Sequence, residues 1–244
     1  MPATLRPRQS GAALDWFGQA AGQGLLAAED GVRTRLLAAA PAMPWLWIGV
    51  DGAAPPALEG RSRGVVLRRT PRGFAGQVRC ALPLPFPRES FGLVLVQHAL
   101  DDGIPPDALL ADCERVLAPG GTLWLAALNP WSAYRLHWAR TGLRARGAAR
   151  WQLALRRAGF AGDAVSLQWL GAHWNARQGG DAGVGAGDRL RAAIGFTVSK
   201  RVRALIPPAP VVRLGWQPAP RAVALPTRRV DGREATDEDP GARR

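Results

Sequence analysis

Three short and almost continuous apolar runs constrain the fold of this chain more than any other feature of its sequence. The runs are WLWIGV (45–50), FGLVLVQ (91–97) and GTLWLAAL (121–128). Segments of this length without a polar face suit strands that are buried on both sides of a parallel sheet. Helical patterns precede the first run, separate the second run from the third, and follow the third. The sequence therefore predicts an α/β fold with an open, mostly parallel sheet.

The remaining segments complete the alternation of helices and strands. Helices are predicted at 12–20, 23–40, 105–117, 131–140 and 148–158, and Pro119-Gly120-Gly121 is predicted to form a turn. Further strands are predicted at 64–68, 76–80, 164–170 and 194–203, and a Gly-rich loop at 179–187. Prolines and mixed charges dominate the last part of the chain, which predicts a Pro-rich basic extension with a disordered tail over 216–244. One domain is expected over residues 1–215, with its N-terminal helices at 12–40.

The chain carries a formal net charge of +13, with 32 basic and 19 acidic residues. A charge of this size is typical of proteins that bind nucleic acid or another anionic surface. Lys200 is the only lysine, however, and the abundance of Arg, Ala, Gly and Pro indicates a GC-rich genome as the origin of the skew. Nucleic-acid binding is therefore allowed by the sequence but not favoured.

One segment concentrates the positive charge. Residues 129–162 contain seven arginines and no acidic residue, and aromatic side chains are interleaved with the arginines. Such a segment suits an anionic partner, either RNA or an acidic small molecule. The alternative is a solvated helix face in an arginine-rich protein, which the composition favours.

Three other features bear on location and on metal chemistry. No apolar run reaches the roughly 18 residues that a bilayer crossing requires, and no continuous apolar h-region follows the N-terminus. Cys80 and Cys113 lie far apart, which predicts free thiols and a cytoplasmic protein. His137 and His173 have no companion residues at metal-ligand spacing, so no metal site is predicted.

Four motifs follow one another over residues 82–132. LPF (84–86) precedes the strand motif FGLV (91–94), RVLAPGG (115–121) ends the next predicted helix, and NPWS (129–132) follows the next strand. In this order and spacing they resemble class I S-adenosylmethionine-dependent methyltransferases of the type 11 branch. The NPWS segment narrows the resemblance to a small bacterial group within that branch.

The resemblance implies a fold and a cofactor. The fold would be a Rossmann-like, doubly wound, seven-stranded sheet whose last strand runs antiparallel to the others. S-adenosylmethionine (SAM) would be the cofactor, and a methyl group would pass from it to an acceptor that the sequence does not identify. Oligomeric state is likewise not indicated.

The same resemblance implies where the cofactor would lie. The Gly-rich turn after strand one corresponds to Gly49, Asp51 and Gly52, where glycine permits close approach of the backbone. Cys80 and Ala81 stand just before the LPF motif, at the place that faces the adenine, and Gln97 ends the fourth strand. On the acceptor side the resemblance points to His98, Asn129 and Trp131.

The cofactor motifs depart from the family pattern at several positions. The full Gly-rich fingerprint is not present, and no acidic residue occurs between Glu59 and Glu89, where strand two would end in a ribose-binding acid. Cys80 replaces the aspartate expected near the adenine, and Gly92 replaces the aspartate of the strand motif. These departures support an alternative function: a catalytically inactive methyltransferase-like protein that acts as an interaction or nucleic-acid-binding module.

Overall fold

A single mixed sheet organises the part of the chain that the computed structural model describes, which comprises residues 13–57, 63–173, 183–185 and 187–201. Its strands are β1 (Trp45–Gly49), β2 (Gly64–Thr70), β3 (Gly73–Gly76), β4 (Phe91–Gln97), β5 (Leu117–Leu128), β6 (Val165–Leu170) and β7 (Ala193–Ser199). Three α-helices accompany them: α1 (Ala20–Ala38), α2 (Asp107–Val116) and α3 (Ala148–Arg157). Short 3-10 helices occur at Asp15–Gly18, Ala133–His137, Gly162–Ala164 and Gly187–Leu190.

The strand order is β3-β2-β1-β4-β5-β7-β6. The pairs β2–β1, β1–β4 and β4–β5 are parallel, whereas β7 is antiparallel to both β5 and β6. This arrangement confirms the predicted doubly wound sheet of seven strands with an antiparallel last strand.

The edge strand β3 departs from the prediction. It pairs antiparallel with β2 through a tight turn at Pro71 and Arg72, so the strand expected at 76–80 was wrong. The backbone N–H of Val66 donates to the side chain of Gln77 at 2.5 Å, and Cys80 makes only an isolated bridge with Phe74. A side chain thus replaces the ladder hydrogen bond that a longer strand would need.

Other element boundaries also differ. The helices predicted at 12–20 and 131–140 are mostly short 3-10 turns, and the predicted turn at 119–121 lies inside β5, where the register with β4 shifts between Phe91 and Leu93. The last strand ends at Ser199. Helix α3 ends as predicted, because Gly159 adopts a φ of 104° and the N–H of Phe160 donates to Leu155. The predicted domain boundary at 215 and the extension after it lie outside the described residues, as does much of the 179–187 loop.

The two faces of the sheet are covered by different helices. Along β1, Leu46 and Ile48 belong to the core under α2 and α3, whereas Trp45 and Trp47 belong to the core under α1. Side chains alternate across a strand, so a continuous apolar run is required when both faces are buried. That requirement explains why β1, β4 and β5 stood out in the sequence. No helix in the described part of the chain is long and apolar enough to cross a membrane.

Two polar side chains of α2 attach the segment around LPF to that helix. The carboxylate of Asp112 accepts the backbone N–H of Leu84, and the Arg115 guanidinium donates to the carbonyls of Leu84 and Phe86 at 2.8 and 2.7 Å. Arg115 also pairs with Asp112 at 2.6 Å. The LPF and RVLAPGG motifs are therefore parts of one interaction, which gives a physical reason for their occurrence together.

Lys200, the residue after β7, attaches the end of the sheet to the α2–β5 junction. Its ammonium donates to the carbonyls of Glu114 and Leu117 at 2.8 and 2.9 Å and lies 3.4 Å from the Glu114 carboxylate. Three acceptors in different directions suit the tetrahedral ammonium group.

Two glycines of α1 provide a matched test of how the N-terminal segment packs. A Cβ at Gly22 would lie 2.5 Å from backbone atoms of Trp16 and Phe17, whereas one at Gly31 would have only the Arg35 side chain at 3.7 Å. We expect Gly22→Ala to lower the free energy of unfolding by about 1–2 kcal/mol through overpacking. Gly31→Ala should raise it by about 0.5–1 kcal/mol through helix propensity. Urea denaturation measures both, and equal shifts would contradict the packing.

Candidate functional site

The carboxyl ends of the parallel strands mark the place where open α/β sheets bind ligands. Here β1 leads into residues 50–54, β4 into 98–102 and β5 into 129–132. The surroundings of these three connections differ. The space over β1 and β4 is occupied by the protein's own side chains and is termed the filled part. A cavity lies beside β2 and β3, and a groove lies beyond β5.

The filled part centres on a buried histidine. His98 Nε2 lies 2.9 Å from the Glu29 carboxylate, and Nδ1 lies 2.8 Å from the Asp101 carboxylate. All three side chains are fully buried. The same Asp101 carboxylate accepts the backbone N–H of Leu128 at 3.0 Å. The triad therefore joins α1, the connection after β4 and the end of β5.

These contacts change the proton affinities of His98 and Asp101. Burial alone opposes the charge on the imidazole, but the charge of Glu29 and the hydrogen bonds that the ring donates to both carboxylates outweigh it and raise the pKa of His98 to about 10. Burial raises the pKa of the Asp101 carboxyl, against the hydrogen bond from His98, which lowers it. We therefore assign His98 as an imidazolium at neutral pH, with both ring N–H groups donated to carboxylates.

Gln97 belongs to the same network. Its Oε1 accepts from Trp47 Nε1 at 3.1 Å and from Arg33 Nη1 at 3.2 Å, and its Nε2 donates to Glu29 at 2.8 Å. Arg33 also donates to the carbonyl of Ala54 at 2.6 Å. With its amide fully engaged and buried, Gln97 presents no group to a ligand in this arrangement.

The N-terminal segment covers this network and the turn after β1. The ring of Phe17 lies 4.5 Å from the imidazole of His98, centroid to centroid. A Cβ at Gly52 would lie 2.5 Å from backbone atoms of Phe17. Gln23 donates to the carbonyls of both Phe17 and Gly52, at 2.8 and 2.6 Å. Gly52 therefore approaches a backbone closely, and that backbone is the protein's own.

An open cavity of about 250 Å³ lies beside this filled part, between the β2–β3 hairpin and the start of α2. Arg69, Phe74, Ala81, Leu100, Ile104 and Leu109 are among its lining residues. The Arg69 guanidinium is held by Asp102 at 3.2 Å and by the carbonyls of Thr70 and Gly73, at 2.5 and 2.9 Å. A second cavity of about 560 Å³ includes Phe74, Cys80 and Ala81 in its lining.

The six residues predicted to bind the cofactor thus form two groups. Cys80 and Ala81 border the cavities at the β2–β3 hairpin. Asp51 is exposed, with one oxygen 3.5 Å from Arg68, and it lies beside Gly49 and Gly52 at the end of β1. Gln97 is buried beneath the N-terminal segment. The structure does not bring the two groups to one open surface.

The three residues predicted on the acceptor side have different environments. His98 is buried in the triad and is not open to a substrate. Asn129 is also buried, and its amide donates to the carbonyls of Arg189 and Arg191 at 2.8 and 2.7 Å. Trp131 is exposed and lies in the groove beyond β5.

Sequence reasoning missed Glu29, Arg33 and Phe17. A signal for the first two was present, because both lie at the helical spacing of the buried residues Leu25 and Val32. Charged residues on an apolar helix face indicate buried polar contacts. Their partners could not be inferred, since His98 is 69 positions from Glu29. Within the described ranges, no group of three His, Cys, Asp or Glu side chains is arranged to hold a metal ion.

Comparisons with known proteins agree with this architecture. A family model described as "Methyltransferase domain" matches residues 62–125, about a quarter of the chain. A search of curated proteins found no match.

Among solved structures, a SAM-dependent methyltransferase from Thermotoga maritima superposes with a TM-score of 0.53 at 17% identity, covering 73% of this chain and 91% of that one. The CurJ carbon methyltransferase superposes at 0.50 with 13% identity, covering 78% and 58%. The chain has the Rossmann-like fold of SAM-dependent methyltransferases.

The buried triad predicts a pH-dependent stability. Glu29→Gln keeps the side-chain shape but removes the carboxylate that faces the His98 imidazolium. Removing one partner of a buried ion pair lowers the free energy of unfolding by about 3–5 kcal/mol. The pKa of His98 is raised from 6.5 to about 10, so its stabilisation is complete below pH 6.5 and is lost as the pH rises towards 10. As the pH rises from 6.5 towards 10, the free energy of unfolding of wild type should therefore fall by more than that of Glu29→Gln.

Urea denaturation at pH 6.5, 8 and 9.5 measures this difference. Glu89→Gln removes one negative charge from an exposed position and serves as the control, since its pH dependence should follow that of wild type. Parallel curves for wild type and Glu29→Gln would show that His98 is not charged in the folded protein.

Proposed function

We propose that this protein transfers a methyl group from SAM to an acceptor molecule. The observation that carries the proposal is the position of the family match. Residues 62–125 include β2, the β2–β3 hairpin, β4 and α2, and all the described residues that line the 250 Å³ cavity lie within that range. The matched segment is thus the part of the chain that builds the cavity.

The cavity suits the nucleoside half of the cofactor. Phe74, Leu100 and Ile104 offer apolar walls for a planar base, and Arg69 and Ala81 border the same space. Binding sites for whole cofactors usually enclose about 300–1,000 Å³, so a volume of about 250 Å³ matches part of such a molecule. Arg69, with Phe74, Ala81 and Leu100, would hold the nucleoside.

The methionine half does not fit beside Gly52 in this arrangement, because backbone atoms of Phe17 already lie there. Full binding therefore requires the segment around Phe17 to move away from Gly52. A protein whose binding-competent conformation is only partly populated binds its ligand more weakly, in proportion to that population. We infer that the N-terminal segment competes with the cofactor.

When bound, the cofactor supplies an electrophilic methyl group. His98 has no acid–base role, because both its ring N–H groups are hydrogen-bonded to carboxylates inside the protein. Rate enhancement would then come from holding the acceptor close to the methyl group and in line with it. The protein's own residues would bind, orient and exclude water.

The alternative of a catalytically inactive binding module is not favoured, because the family match and both structural neighbours point to methyltransferases. The free thiols Cys80 and Cys113 support a cytoplasmic protein, as a reducing compartment keeps thiols unpaired. The NPWS segment supports placement in the small bacterial group within the type 11 branch.

Calorimetric titration with SAM and with S-adenosylhomocysteine tests the proposal. Wild type should bind both, and Phe17→Ala should bind more tightly, by about fivefold or more, which corresponds to ~1 kcal/mol. Phe160→Ala removes a similarly buried ring outside the filled part and controls for destabilisation. No binding by either protein up to millimolar cofactor would overturn the proposed function. Equal affinities would instead exclude competition by the N-terminal segment.

Alkylation with iodoacetamide tests the place of Cys80. Burial of Cys113 raises its thiol pKa above the usual range and leaves it unreactive, whereas Cys80 is only partly buried. We expect one adduct at Cys80, slower labelling in saturating SAM, and loss of SAM binding after labelling. Cys80→Ser should take up no label. Unchanged cofactor binding by fully labelled protein would place Cys80 outside the site.

A further inference from the structure

A groove of about 900 Å³ lies beyond β5, between the start of α3 and β6. Its lining includes Trp131 from the connection after β5, Arg150 from α3, Trp169 from β6, and Val184, Arg189 and Leu190 from the connection before β7. The volume is within the range of small-molecule sites. No residue of the proposed cofactor cavity contributes to it.

The groove exposes an unusual amount of apolar surface. Trp131 is 75% exposed, Val184 78% and Leu190 54%, and these are three of the six large hydrophobic side chains that are exposed in the described part of the chain. Exposed apolar side chains that cluster in a concave surface, rather than occurring singly, mark a binding site. The indole of Trp131 offers a flat face to a planar ligand.

The charge of the groove is positive. Arg150 and Arg189 are the charged residues among the described residues of its lining, none of which is acidic. Among the described residues, neither guanidinium forms an ion pair or hydrogen bond, in contrast to Arg191, which pairs with Asp188 at 2.6 Å, and Arg146, which donates to two carbonyls. Cations without partners beside an apolar surface favour an anionic ligand.

Asn129 connects the two sides of the groove. Its amide nitrogen donates to the carbonyl of Arg189, and its Oδ1 accepts the backbone N–H of Trp131 at 3.1 Å. One buried side chain thus sets the spacing between the aromatic wall and the cationic wall. The backbone of the aromatic wall and that of the cationic wall are therefore held to each other by internal hydrogen bonds.

We propose that this groove binds a small organic anion with a planar aromatic body, of the class of aromatic carboxylates, sulfonates or phosphate monoesters. The ring packs against Trp131 and the neighbouring apolar side chains, and the anionic group lies towards Arg150 and Arg189. The enclosed volume and the apolar walls favour a small molecule over a nucleic acid. The identification of this anion as the methyl acceptor rests on the proposed function. The binding of the anion to the groove does not rest on it.

Two probes that share one ring system separate the contribution of the ring to binding from that of the anionic group. Calorimetry without cofactor compares 1-naphthalenesulfonate with the neutral 1-naphthalenemethanol at low ionic strength. We expect the sulfonate to bind about tenfold more tightly, as charge-assisted contacts allow. Trp131→Ala should weaken both probes, by about tenfold. Arg189→Gln should weaken only the sulfonate, towards the affinity of the alcohol. Arg157→Gln, on the exposed C-terminal end of α3, should change neither.

Three outcomes would overturn the proposal. They are absence of sulfonate binding, equal affinity for both probes, and sulfonate binding that Trp131→Ala leaves unchanged. Tight, steeply salt-dependent binding of a U12 oligonucleotide that displaces the sulfonate and is weakened by Trp131→Ala would assign the groove to nucleic acid instead. Because no cofactor is present, these results are independent of the SAM titration, so failure of one proposal is distinguishable from failure of the other.

Discussion

The imidazolium of His98, held between Glu29 and Asp101, is the interaction on which the ligand-binding edge of the sheet depends. A buried charge is tolerated only when it is paired and hydrogen-bonded, and here the two partners come from α1 and from the connection after β4. Asp101 also accepts the N–H of Leu128 at the end of β5. Helix α1 is thereby attached to the sheet by charge as well as by apolar packing.

The attachment that stabilises the fold also restricts ligand binding. The network fills the space over β1 and β4, and it holds Phe17 against Gly52. Stability and access are thus opposed at one place, a common feature of functional sites. The cavity at the β2–β3 hairpin and the groove beyond β5 are open, and no residue of the triad is among their lining residues. The edge of the sheet is therefore divided into one stabilising part and two open parts.

The fold was largely predictable and the site was not. Strands β1, β4 and β5 are buried on both faces, so their apolar runs identify them, and Gly159 marked the end of α3. Strand β3 has no such pattern, since GFAG forms only by pairing with β2. The triad joins residues 69 positions apart, and no local signal specifies that pairing. The resemblance pointed to Trp131 and Asn129 as acceptor-side residues, whereas the hydrogen bonds by which Asn129 connects the backbone at Trp131 and Arg189 are seen only in the structure.

The contacts of Lys200 have a consequence for chemical labelling. In a chain with 32 basic residues this is the only lysine, and it lies where an ammonium reaches two carbonyls and a carboxylate at once. An ammonium can direct its three donors to separate acceptors, whereas a guanidinium holds its donors in one plane. The protein therefore carries a single side-chain amine, engaged at the junction of β7, α2 and β5. The rate at which an amine-directed reagent modifies that amine would report directly on the opening of this junction.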